Sequence, residues 1–278
     1  MAAEMTFEQF CAAHGVIVPT GGAPIGRWTR FKTADKPRSK NGAVKYMGTH
    51  GFVQNHATMT EVAVWRSGSD DPQIKHQAQR IANDADREIK AAQERAAKRA
   101  VEMLAQAVAR PHPYLESKGY PLAAVLTHHD GHALIPMRVG AELVGVQVIG
   151  VDGSKRFLFG QRCSMATFVM RRGAGGVNVV CEGYATGLSA MDALISLRLP
   201  FTLHVCFSAG NMQKVAATLP RGLCIADNDE SGTGERVARA IGWGYWISDR
   251  VGEDANDYHQ RRGLFALSQG IKQKLMLR

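Results

Sequence analysis

From Val177 to Ser248 the chain alternates short apolar runs with helix-length segments, and this rhythm restricts the fold more than any other feature. VNVVC (177–181) reads as a strand, Glu182-Gly183 turns the chain, and Tyr184–Leu197 is an apolar helix. FTLHVCFS (201–208) is a second strand, which Ala209-Gly210-Asn211 turns into a helix over 211–218. GLCIAD (222–227) is a third strand, followed by a loop over Asn228–Gly234 and a helix beginning with Glu235–Ile241. Tyr245–Ser248 is a fourth, short strand. Strands this short and this apolar are covered on both faces, so repeated β-α units predict a parallel sheet with helices on both sides. Ligands of such sheets sit beyond the carboxyl ends of the strands.

Three acidic clusters fall at those ends: Glu182, the pair Asp227 and Asp229, and the pair Asp254 and Asp257. An Asp-x-Asp turn lets one loop aim two carboxylates at one ion. Mg²⁺ favours a few carboxylates, with water and phosphate completing its shell. Paired ions would clamp the attacking and leaving oxygens of a phosphoryl displacement. For any single residue the alternative is a helix cap, a common use of acidic side chains at strand ends. Three clusters at three strand ends of one sheet favour the metal site.

Upstream, HALIPMRV (132–139), ELVGVQVIG (142–150) and KRFLFG (155–160) form an antiparallel meander with turns at Gly140-Ala141 and Asp152-Gly153. In it, Lys155 and Arg156 are adjacent cations suited to triphosphate or template phosphate, or else two solvated residues that a strand sends to opposite faces. Ser208, Gly210 and Asn211 are either a phosphate-holding helix start or an ordinary tight turn. His128, His129 and His132 read as surface or turn histidines. Residues 114–127 read as a short helix, a glycine turn and a second short helix. Residues 72–109 form a long helix of high intrinsic propensity, ended by Arg110-Pro-His-Pro.

Residues 4–14 fit a short helix, and Arg27 to Trp65 a small β-rich unit with hairpin turns. Arg27, Arg30, Lys32 and Lys45 interleave there with Trp28, Phe31 and Tyr46. Such a surface can hold backbone phosphate and stack bases; the alternative is a solvated loop beside a few core aromatics. The net charge of +9 suits a polyanionic partner. The chain thus divides into a basic β-rich unit (1–68), a connecting helix (69–111), a subdomain at 112–176 and the parallel sheet at 177–278.

Several classes are disfavoured. Cys11, Cys163, Cys181, Cys206 and Cys224 are odd in number and never at C-x-x-C spacing, so neither a zinc ribbon nor a disulfide framework is expected. The first residues, MAAEMTFEQF, lack the basic and apolar regions of a signal peptide. No apolar stretch reaches the roughly 20 residues of a membrane helix, so no membrane partner is expected and a cytoplasmic location is.

Three runs carry a family resemblance. VVCEGYATGLSA resembles the first TOPRIM motif, CIADNDESGTGE the second, and EDANDY (253–258) the third motif of primases. HPYLESKGY, ALIPMR, LVGVQVI and DGSKRFLFG resemble the segment that precedes the TOPRIM core in phage and plasmid DNA primases. The resemblance covers roughly residues 112–258. It implies an α/β fold with a TOPRIM-type, Rossmann-like parallel sheet, preceded by the meander and the small N-terminal unit. It implies that Glu182, Asp227 and Asp229 bind catalytic Mg²⁺, or Mn²⁺ in vitro, with Asp254 and then Asp257 as further carboxylates. It further implies a single-stranded DNA template, ribonucleoside triphosphate substrates, short RNA primers as product, a separate replicative helicase and a bacterial host cytoplasm if phage-encoded.

The chain departs from the family in two places. The zinc ribbon of many primases is missing, and Thr186 stands where some have an Asp four residues after the first-motif Glu. A TOPRIM nuclease using the same carboxylates, and a non-catalytic single-strand-binding replisome protein, are the alternatives.

Overall fold

The computed structural model describes residues 5–59, 61–67 and 72–276. The chain forms two compact units, Met1–Ala91 and Ala92–Arg278.

In the first unit, α1 (Phe7–Ala13) starts at a capping box in which Thr6 and Gln9 satisfy each other's backbone N–H. Five strands follow: β1 (Val16–Ile17), β2 (Trp28–Thr33), β3 (Gly42–Tyr46), β4 (His50–Asn55) and β5 (Ala63–Arg66). They pair antiparallel in chain order. One face packs Phe31, Val44, Tyr46, Val53 and Trp65 against Phe7 and Cys11 of α1. Phe7 stacks on Tyr46 with ring centroids 4.8 Å apart. The unit is built on an aromatic core, with Cys11 as a buried thiol.

Helix α2 spans Pro72–Ala105. It stops short of residue 109, because β6 (Val108–Pro111) pairs with β7 (Ala124–Thr127) instead. Strand β7 corrects a second expectation, a helix near residue 124. Its alanine and leucine favour a helix, but pairing and the burial of Val125 and Thr127 decide otherwise. Between them α3 (Pro113–Ser117) forms behind His112, whose side chain caps it. Strands β8 (Ala133–Val139), β9 (Glu142–Ile149) and β10 (Lys155–Phe157) complete an antiparallel sheet in the order β10-β9-β8-β7-β6. Ala100 and Met103 of α2 pack on Leu134, Val146 and Val148 of this sheet.

The third sheet contains β11 (Phe168–Arg172), β12 (Val177–Cys181), β13 (Phe201–Val205), β14 (Leu223–Ala226) and β15 (Gly244–Ile247), in the order β11-β13-β12-β14-β15. Strand β11 lies antiparallel at the edge, and the other four pair in parallel. The connecting helices are α4 (Tyr184–Ser196), α5 (Ala209–Ala216) and α6 (Thr233–Ile241), with α7 (Ala255–Met276) following β15 and kinked at Gly263. Alternate residues divide the helices between two faces. Val179, Cys181, Leu223 and Ile225 pack with residues of α4 and α7. Val180, Cys224 and Ala226 pack with residues of α5 and α6. Tyr114, Leu115, Ile135 and Ile149 join the first of these clusters, so the second and third sheets share one core. The architecture is therefore α/β, with two antiparallel sheets and one mixed sheet. No described helix is long and apolar enough to cross a membrane.

Candidate active site

Parallel pairing brings the acidic strand ends together. The β12–β14 register matches Cys181 with Ile225, so Glu182 and Asp227 leave adjacent strands at the same end of the sheet. Two backbone hydrogen bonds stitch the following loops: Asn228 N–H donates to Glu253 O (3.0 Å) and Gly252 N–H to Asn228 O (2.6 Å). The Asn228 side chain donates to Ser248 O at 3.0 Å. Asp254 is thereby held near Asp227. An open cleft of about 540 Å³ runs between the loops, lined by Asp227, Asp229, Glu230, Glu253, Asp254 and Asp257 among others.

Asp227 is the strained member. Its Oδ1 is sealed from solvent and has no hydrogen-bond partner. Burial, and then the charges of Asp254 and Glu182, push its carboxyl up to about 7; Lys155 opposes this and Asp229 adds to it. Glu182 is also raised, first by burial and then by Asp229, while Lys155 and the Ala209 N–H oppose the rise. Lys155 on β10 is thus a cation whose charge acts on both carboxylates, and its ammonium lies 5.8 Å from the Tyr114 ring centroid.

Asp229 behaves differently. Burial would raise it, but hydrogen bonds from the Ser231 hydroxyl and the Gly234 and Thr233 N–H groups outweigh that and hold it at about 2. It therefore caps the first turn of α6 while pointing a charge into the cleft. The turn requires glycine at 234, where a Cβ would lie 2.1 Å from Asp227 O.

Asp254 caps α7, accepting from Asn256 N–H at 2.7 Å and Asp257 N–H at 2.9 Å with one oxygen. Its other oxygen accepts from the fully buried Thr186 hydroxyl at 3.1 Å. Thr186 thus orients the Asp254 carboxylate, a role that only the fold reveals because 68 residues separate the pair. Asp257 returns the capping bond to Asp254 N–H at 3.4 Å and lies 3.6 Å from the Lys118 ammonium. Glu253 is tied to Arg261 at 2.7 and 2.8 Å and to the Ser248 hydroxyl at 2.7 Å.

Other expected site residues fall elsewhere. Arg156 turns away toward His132, 3.2 Å from its Nε2. Ser208 caps α5 by accepting from Asn211 N–H. Asn211 is buried, and its side-chain amide bridges Met165 N–H, Ala166 O and Cys206 O. His128 is buried in its turn rather than on the surface, 3.0 Å from Asp130. Arg27, Trp28, Arg30 and Lys32 lie in the first unit, all exposed.

Among the described residues no three His, Cys, Asp or Glu side chains converge into a ready-made ligand set. The residues present still fit a hard cation, which needs only one or two carboxylates when water and substrate phosphate supply the rest. The unpartnered Asp227 Oδ1 is the observation that makes the fit.

No family model matches the chain, and no curated protein does. Two solved structures from bacteriophage T7 are similar. The primase fragment of the T7 primase-helicase protein aligns over 58% of this chain and 68% of its own, with 18% identity and a TM-score of 0.39. A chain of a structure of T7 lagging-strand DNA polymerase interacting with primase domains of two gp4 subunits, bound to an RNA/DNA hybrid and dTTP, aligns over 58% of this chain and 84% of its own, with 19% identity and a TM-score of 0.39.

Two outcomes follow for this site. Asp227 keeps its proton in the folded state up to about 7, whereas the unfolded chain releases it near the ordinary value of 3.8. Its contribution to the stability of the metal-free protein is therefore lost as pH rises through that window. The melting temperature of Asp227→Asn in chelator should exceed that of wild type by a gap that widens from about pH 4 to about pH 7 and levels off above it; a constant gap contradicts the assignment. Thr186→Val should weaken divalent-metal affinity by about 10- to 100-fold, the usual cost of losing an outer-shell partner, and Thr186→Ser should restore most of it. Equal metal titration curves for all three proteins would exclude the orienting role.

Proposed function

We propose that the chain is a DNA primase, building short RNA primers on single-stranded DNA by metal-dependent nucleotidyl transfer around a TOPRIM core. The observation that carries this is that Glu182 and Asp227 leave adjacent parallel strands at one end, where the charges of Asp254, Asp229 and, from the preceding meander, Lys155 act on the buried Asp227 carboxyl. The three ordered sequence motifs end in these same carboxylates.

In this reading Asp227 and Glu182 would hold a divalent cation, Mg²⁺ or Mn²⁺, with Asp254, fixed by Thr186, as a further carboxylate. The ion supplies charge compensation at the reacting phosphate. The reaction joins the primer 3′-oxygen to the α-phosphorus of an incoming ribonucleoside triphosphate. The bond from that phosphorus to the pyrophosphate leaving group breaks, and the hydroxyl proton departs. Lys155 is placed to pair with triphosphate oxygens as they enter, a point charge opposite the carboxylates. Asp229, held ionised by the α6 N–H groups, adds negative potential that favours the cation. The Asp257–Lys118 contact and the capping pair keep the start of α7 in place. A separate helicase would supply the single strand.

Ribonucleotide incorporation on a library of single-stranded templates, with Mg²⁺ and Mn²⁺ in parallel, tests the proposal. Asp227→Asn and Asp229→Asn should each reduce incorporation by more than about 100-fold, beyond the range of an outer-shell change. Full activity in both variants would refute the site. Metal-dependent strand cleavage without incorporation would replace synthesis with the nuclease reading.

A further inference from the structure

We infer that the outward face of the first sheet is a binding surface for single-stranded nucleic acid, distinct from the carboxylate cleft. Strand alternation sorts this sheet into two unlike sides. Phe31, Val44, Tyr46, Val53 and Trp65 point into the core. The opposite residues are Trp28, Arg30 and Lys32 of β2, Ala43 and Lys45 of β3, His50, Phe52 and Gln54 of β4, and Val64 and Arg66 of β5.

The pairing register lines up Trp28, Lys45, Phe52 and Val64 as one row across four strands. At ordinary strand spacing the row is about 14 Å long. Trp28 and Val64 are each 50% exposed, and the Trp28 and Phe52 ring centroids lie 6.2 Å apart. Half of the Trp28 surface therefore stays in water, where it adds nothing to the fold. Its ring instead offers a flat apolar platform, and every unpaired base has a matching π-face.

Charge supports the same ligand. Arg30, Lys32, Lys45 and Arg66 stand on this face, and none of the ten residues named from β2 to β5 is acidic. Among the described residues no ion pair engages Arg30, Lys32 or Lys45. Cations bracketing an aromatic row suit a strand whose phosphates alternate with free bases. A duplex has the phosphates but hides the base faces, so the aromatic row favours the single strand.

The test is fluorescence anisotropy of the full chain with labelled oligodeoxythymidylate in chelator, so that no metal contributes. Trp28→Ala combined with Phe52→Ala should weaken binding by at least about 10-fold, and Trp28→Phe alone should retain most of it. Arg30→Gln with Lys45→Gln should flatten the salt dependence. These residues face solvent, and thermal melts confirm folding before binding is read. Asp227→Asn should bind like wild type, which separates this surface from the proposed catalytic site. Unchanged affinity in the folded aromatic double variant overturns the inference. So does equal competition by duplex DNA, or a loss in Asp227→Asn without any loss in the sheet variants.

Discussion

Carboxylates gathered at the ends of adjacent strands are buried beside one another, and among them Asp227 is pushed furthest above its ordinary range, first by burial and then by its neighbours' charges. Its Oδ1 has no hydrogen-bond partner, and burial with the charges of Asp254 and Glu182 moves its carboxyl up to about 7. An isolated buried charge of this kind costs stability unless something pairs with it. Lys155 opposes the shift without cancelling it. A divalent cation would relieve this arrangement, so the interaction that costs the metal-free fold is the one that would favour the ion.

Much of the second unit serves to hold this conflict in place. The parallel sheet brings Glu182 and Asp227 to one end, and the stitched loops carry Asp254 beside them. Helix caps do double service. Asp229 satisfies α6 and Asp254 satisfies α7, yet both charges remain in the cleft. Capping and metal binding are thus compatible uses of one side chain, since a carboxylate offers more acceptor sites than a helix turn consumes. Thr186 fixes the remaining orientation of Asp254 from inside the core.

The features carried by local pattern could be read from the sequence. VNVVC and GLCIAD are apolar runs whose burial forces their strand character, and the acidic residues at their ends follow from the same runs. Features that depend on tertiary pairing could not. AVLT at 124–127 favours a helix locally and becomes a strand only because β6 pairs with it. Strand β11 is an edge strand with exposed arginines and no strong alternation to announce it. The position of Lys155 opposite Glu182 and Asp227 requires the shared core of two sheets. The burial of the Asn211 side chain among three backbone groups is likewise invisible in the chain order.

The most direct measurement is a Mn²⁺ titration of the purified protein near neutral pH, followed together by paramagnetic signal and by proton release. A cation that enters the carboxylate cluster must displace the proton Asp227 holds at about 7. The account predicts saturable Mn²⁺ binding accompanied by proton release, with both lost or sharply reduced in Asp227→Asn. Saturable binding that is undiminished in Asp227→Asn, or the lack of any saturable site in the wild-type protein, would contradict it.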